Sequence, residues 1–220
     1  RSVGLETRKV TALLAFLSVE SRPHSRERLA DIFWTEYDSA RAPANLRRTL
    51  SSLQKSVTDK WLIIDRNTIE FTRDENIRID CMDFACGVEE VLNRDCVDGG
   101  ESAFQDEARM EELLSLYRGD FLEGFNLKNS PDFESWQMYY REKYRLLACR
   151  GLDYLVEHHS AQENWDAAIE ELHRLLALDN LDESVHRRLM LLYARTGRRN
   201  SALLQYKECK RLLREELEID

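Results

Sequence analysis

Residues 39–57 read SARAPANLRRTLSSLQKSV, and the fold follows from how this stretch divides into two faces. Leu46, Leu50, Leu53 and Val57 recur at steps of four, three and four, which aligns them on one side of an α-helix. That side is expected to be buried. At about 100° per residue, the opposite side carries Arg41, Ala44, Arg48, Ser51, Ser52 and Lys55, with Asn45 and Arg47 on its flanks. Between Ser39 and Lys60 there are five Lys or Arg residues (41, 47, 48, 55 and 60) against one acid, Asp59, in a chain of net charge -9. A cationic helix in an acidic chain suits a phosphate-facing role, although charge alone fits a solvated face as well. The flanking segments decide between the two.

Upstream, residues 5–19 (LETRKVTALLAFLSV) hold apolar positions 10, 13, 14, 16 and 17 and read as a first helix. Pro23 ends it, and Ser25 is placed to cap a short second helix, residues 26–34, that buries Leu29, Ile32, Phe33 and Trp34. Three helices of which the third exposes cations are the layout of a helix-turn-helix domain. Downstream, the β-rich runs 61–65 and 68–71 are separated by Arg66-Asn67, which signals a hairpin. A hairpin directly behind a recognition helix is a wing, with Arg66 at its tip.

From there to the end the pattern is helical. Residues 81–92 carry Phe84, Val88 and Val91 on one side; residues 93–105, containing Gly99-Gly100, read as a linker; residues 107–117 form a helix closed by Gly119. Ser130-Pro131 opens a helix with Phe133, Trp136, Tyr140, Tyr144 and Leu147 on its apolar side. Such an aromatic stripe is core more often than a ligand site. The last 70 or so residues repeat: Leu155 falls over Leu189, Ala168 over Ala202, Ile169 over Leu203 and Leu178 over Leu212, each 34 residues on. This is the tetratricopeptide period. Ala168 and Ala202 are expected to let helices approach, Leu172, Tyr193 and Tyr206 to fill between them, and Gly197 to make the turn; the first repeat has no turn glycine. Stacked arrays of this kind offer a concave surface for protein segments.

Composition narrows the class. With 220 residues, 43% hydrophobic content, three prolines and eight glycines, the chain suits one large or two ordinary packed domains built of long helices. The longest apolar run, residues 12–17, is far short of the roughly 20 residues that span a bilayer. No membrane association is expected, and the cytoplasm is the expected location. Arg1 opens the sequence in place of methionine, which reads as a fragment or a trimmed chain, and further domains of the same chain stand among the partners considered. Cysteines 81, 86, 96, 149 and 209 are scattered and odd in number, so they suit reduced thiols. Residues 1–80 hold 14 basic and 12 acidic residues, whereas 81–220 hold 18 and 29. The first part is the one suited to a polyanion.

Several longer strings carry a family resemblance. LYRGDFLEGF (116–125), SPDFESW (130–136), AAIEELHRLLALD (167–179), HRRLMLLYARTGRRNSALLQYKEC (186–209) and RLLREELEI (211–219) resemble the bacterial transcriptional activator domain (BTAD) of SARP-type antibiotic-pathway regulators. RKVTALLAFL (8–17), SRERLADIFW (25–34) and ANLRRTLSSLQKSV (44–57) resemble the OmpR-like winged helix that precedes it in that family. The resemblance implies a mainly α chain: a winged helix-turn-helix domain with a small β-hairpin wing over 1–80, then an α-helical tetratricopeptide-like domain over 81–220. It further implies a transcription regulator, an activator, that binds double-stranded promoter DNA, often at repeated sites, and whose helical repeats serve signal transmission, homodimer contacts or RNA polymerase contacts. Carried over by position, the DNA-facing residues are Arg41, Asn45, Arg47, Arg48, Ser52 and Lys55 on the third helix and Arg66 on the wing. Family members begin with a small sheet before the first helix, of which only residues 3–5 could supply a strand here.

Arginine pairs bidentately with guanine edges and asparagine with adenine, so Arg48 and Asn45 are assigned to bases and Arg47, Lys55 and Arg66 to phosphates. For Arg47 the competing reading is a salt bridge to Asp31 or Glu36. Two Glu-x-x-His spacings, Glu170 with His173 and Glu183 with His186, occur in di-iron bundles, but here they fall on successive repeat helices among charged residues. His158-His159 lies near a helix end, where imidazole can satisfy carbonyls. No metal and no cofactor is expected, and no phosphate loop or nucleophile motif supports an enzyme. The alternative to a DNA-binding regulator is a protein–protein interaction module of a larger signalling protein, with no DNA binding of its own.

Overall fold

Thr7 starts the first helix by accepting the Val10 N–H on its hydroxyl at 3.3 Å. Helix α1 (Arg8–Glu20) buries Val10, Ala12, Leu13, Phe16 and Leu17 and stops at Ser21, whose φ of 45° is left-handed. The structure, a computed structural model, describes residues 7–38, 40–57, 60–74, 76–94 and 103–217. By internal contact it divides into two units, Arg1–Asp83 with Gly119–Glu142, and Phe84–Arg118 with Lys143–Asp220. The strand considered at residues 3–5 lies outside the described residues, as does most of the expected linker.

In the first unit, Ser25 accepts the Arg28 N–H at 3.2 Å and opens α2 (Arg26–Phe33), which buries Leu29, Ala30, Ile32 and Phe33. Helix α3 (Arg41–Ser56) buries Leu46, Leu50 and Leu53, which with buried Val57 after its end are the spacing read from the sequence, and Ala42 besides. Pro43 is tolerated because it sits in the first turn, where a backbone N–H has no intrahelical partner. A three-stranded antiparallel sheet has the order β1 (His24–Ser25), β3 (Thr68–Phe71), β2 (Leu62–Ile64). The β2–β3 hairpin was legible, with Ile64 opposite Ile69. Strand β1 was not, because two residues beside a proline show no alternation; His24 pairs with Ile69 and Ser25 with Thr68. Leu127 and Phe133 complete this core, Phe133 lying 5.4 Å from Phe33 between ring centroids.

The second unit contains the rest of α4 (Asp80–Arg94), α5 (Ala103–Leu114), residues 143–161 of α6 (Pro131–Ala161), α7 (Trp165–Leu178), α8 (Glu183–Arg195) and α9 (Arg199–Leu217). Helix α5 begins and ends earlier than its apolar pattern suggested, residues 115–117 being turn or irregular. α4 approaches α5 closely at Gly87, where an added Cβ would lie 2.3 Å from a Leu113 methyl. The 34-residue offset appears in the boundaries themselves: α6 ends at Ala161 and α8 at Arg195, α7 begins at Trp165 and α9 at Arg199. Ala168 and Leu172 are fully buried, whereas Tyr206 is 55% exposed and fills no gap.

Candidate nucleic-acid interface

The unburied side of α3 is set by its buried side. With Leu46, Leu50 and Leu53 inward, Arg41, Arg47, Arg48, Ser51 and Lys55 are exposed, and Asn45 and Ser52 are half-buried at the margin. Arg41, Asn45, Arg48, Ser52 and Lys55 follow one another at steps of four, three, four and three, so they form a single stripe. Arg47 lies on the other flank, its Nε donating to the Pro43 carbonyl of its own helix at 3.4 Å. Neither Asp31 nor Glu36 pairs with it: Glu36 is engaged by Lys9 at 3.7 Å and by Asn129. Among the described residues no carboxylate forms an ion pair with Arg41, Arg47, Arg48, Lys55 or Arg66. Lys60, by contrast, is committed to Asp74 at 2.5 Å.

Two residues that sequence reasoning passed over hold these elements in place. Asp38 accepts the N–H groups of Ala40 and Arg41 at 3.2 and 2.8 Å on Oδ1, and those of Arg41 and Ala42 at 3.1 Å on its carbonyl. It caps α3 with a negative charge at the positive end of the helix. An aspartate three residues before a helical pattern is the signal that identifies such a cap. Arg26 donates from Nε and Nη2 to the Asp65 carbonyl at 3.1 and 3.0 Å, and its N–H donates to the Asn67 carbonyl at 3.0 Å. The hairpin turn is thereby fastened to the start of α2, leaving Arg66 exposed at its tip. No sequence signal marks Arg26. Arg66 stands on a different element from the other six candidates.

Residues 69–220 match the bacterial transcriptional activator domain family. That match covers more than half of the chain. The chain belongs to this family. Its members are transcription regulators. A solved structure of Mycobacterium tuberculosis EmbR, in complex with a low-affinity phosphopeptide, superposes with a TM-score of 0.70 at 22% identity, over 99% of this chain and 57% of that one. At this identity the likeness is one of fold, and the chain spans little over half the length of its structural relative. No curated protein matches the chain significantly.

The activator-domain half holds the histidines weighed as ligands. His173 bonds the Tyr193 hydroxyl at 2.8 Å. His186, although it stands among charged residues in the sequence, is buried: Nε2 lies 3.0 Å from the Asn180 carbonyl and Nδ1 2.6 Å from the Gln205 amide. Both are thus satisfied by hydrogen bonds in the repeat helices. Cys86, Cys149 and Cys209 are free thiols. Among the described residues no helix is long and apolar enough to cross a membrane.

Proposed function

We propose that this activator-domain protein is a DNA-binding transcription activator. Residues 1–80 act as a winged helix that places α3 in the major groove of promoter DNA, and residues 81–220 act as a tetratricopeptide-like domain. The observation that carries the reading is the cationic side of α3, whose Arg41, Arg47, Arg48 and Lys55 are exposed and, among the described residues, free of ion pairs. Charges so held are available to phosphates, whose counterions they release on binding. Arg48 and Asn45 read bases; Arg41, Arg47, Ser52, Lys55 and, from the wing, Arg66 hold the backbone. The protein works in the cytoplasm without cofactor or catalysis, as a homodimer on repeated sites, and the helical repeats contact RNA polymerase.

The test is fluorescence anisotropy with a pool of genomic duplex fragments at two salt concentrations. Binding should weaken steeply with salt and select a repeated sequence. Arg48→Ala should lose about 1–3 kcal/mol and blur the preference, and Lys55→Ala should weaken all sequences alike.

One observation favours a second reading, a protein-docking module. Leu191, Leu203, Leu204 and Tyr206 on α8 and α9 are each more than half exposed, which suits a protein partner. If the folded chain fails to bind any duplex at low salt, the docking module replaces the activator.

A further inference from the structure

The helical unit brings Glu107, Glu111 and His159 together, each offering one ligand atom within 4.8 Å of the others. Glu107 and Glu111 are four residues apart on α5 and so share a face, and His159 reaches them from the last turns of α6. His159 is 4% exposed, and its Nδ1 is buried without a hydrogen-bond partner. That nitrogen lies 3.6 Å from Glu107 Oε1, too far for a hydrogen bond. It is close to the spacing of about 3.4 Å between two ligands of a tetrahedral ion whose bonds are about 2.1 Å.

The surroundings fit a coordinating set. The other oxygen of Glu107 is engaged by His158 Nε2 at 3.0 Å, and His158 stacks on Tyr154 at an interplanar angle of 14°. A ligating carboxylate fixed by a neighbouring imidazole is the usual outer arrangement of metal sites. Glu171 is bound by Arg174 at 2.8 Å and is not counted as a ligand. Glu111 is exposed, so the site opens to solvent on its side and water completes the coordination. One imidazole and two carboxylates suit a divalent first-row ion rather than a soft, thiolate-preferring one.

We propose that Glu107, Glu111 and His159 bind one divalent first-row transition ion, which clamps α5 to the end of α6. The ion neutralises two carboxylates and gives the buried Nδ1 its partner. Without it, the Glu107–His158 bond remains as a polar link between the two helices, beside their packing where Met110 and Leu114 of α5 meet Gly151 of α6.

The experiment uses the full untagged chain, freed of metal by a chelator and kept reduced, and titrated with Zn2+ alone in a calorimeter, with thermal unfolding in parallel. One equivalent should bind saturably and raise the melting temperature. Glu111→Gln, an exposed substitution that leaves the metal-free fold intact, should weaken binding at least tenfold, and His159→Gln should do the same. Co2+ bound at the site should show no thiolate charge-transfer band, since no cysteine takes part. Absence of saturable binding overturns the proposal. So does Zn2+ affinity unchanged in both variants, which would place the ion at another site, or a thiolate band, which would place it on the cysteines.

Discussion

The indole Nε1 of Trp136 donates to the Glu20 carboxylate at 2.9 Å, so the first turns of α6 are bonded to the last turn of α1 across more than a hundred residues of sequence. The same oxygen receives the Tyr140 hydroxyl at 3.2 Å, and the other oxygen receives Arg22 from Nε and Nη2 at 2.9 and 2.7 Å. Around this polar knot the Trp136 ring lies 5.0 Å from Phe16 and 5.3 Å from Phe133. The α3 stripe is therefore carried by a core completed with residues that follow it by some ninety positions.

Trp136→Phe keeps most of that ring packing and removes the donor. Leaving a partly buried carboxylate one bond short should cost about 1–2 kcal/mol. Trp136→Ala also removes the ring, raising the loss to roughly 3–5 kcal/mol. Urea unfolding followed by circular dichroism measures both. A Trp136→Phe midpoint equal to the native one would mean that the bond to Glu20 adds nothing.

The same corner predicts acid sensitivity in two stages. Burial pushes the His24 imidazole below its ordinary 6.5, with Arg22 and Arg28 adding to the fall and Glu20 opposing it. The unfolded chain then takes up the proton first, so stability declines as pH drops below about 6.5. Burial alone would raise the Glu20 carboxyl, but the bonds from Arg22, Trp136 and Tyr140 outweigh it and hold it below 4.5. Its contribution is present above about 4.5 and is lost as pH falls through the lower, folded value. Stability against pH should therefore fall from about 6.5 and steepen below about 4.5, and His24→Asn should remove the first stage only.

What the sequence disclosed of this corner was partial, for physical reasons. Phe133, Trp136 and Tyr140 announce a buried face by their helical spacing, but spacing says nothing of which helix covers it. Leu46, Leu50 and Leu53 were decisive because burying one side of a helix fixes the other, which placed Arg41, Arg48 and Lys55 outward. His186 misled because its neighbours in sequence are charged, while its ring is satisfied by Asn180 and Gln205 from other segments. In the Glu107, Glu111 and His159 cluster the two glutamates show a helical spacing of four, but no spacing places His159, which comes from another helix, beside them.

The cap on α3 separates stability from recognition. Asp38→Ala removes the acceptor for the Ala40 and Arg41 N–H groups and should cost about 0.5–2 kcal/mol. Asp38→Asn retains an acceptor oxygen and should restore most of that loss. It also removes a negative charge beside the proposed phosphate-facing stripe, so duplex affinity at low salt should rise above the native value. If Asp38→Asn binds duplex no better than the native chain, the N-terminal turn of α3 does not face phosphate.

The two repeats offer a paired test of backbone strain. Gly197 turns between α8 and α9 with φ 75°, and Glu163, 34 residues earlier, makes the equivalent turn between α6 and α7 with φ 58°. A side chain in the left-handed region costs about 1 kcal/mol, which glycine avoids. Glu163→Gly relieves that cost but loosens the unfolded chain, so the net gain should be roughly 0.5 kcal/mol. Gly197→Ala meets nothing within 4 Å of the added Cβ, so its loss of about 1 kcal/mol would report the backbone alone. Thermal unfolding of the two variants should shift in opposite directions. A shift of the same sign in both would show that the turns, although equivalent in position, do not carry equivalent strain.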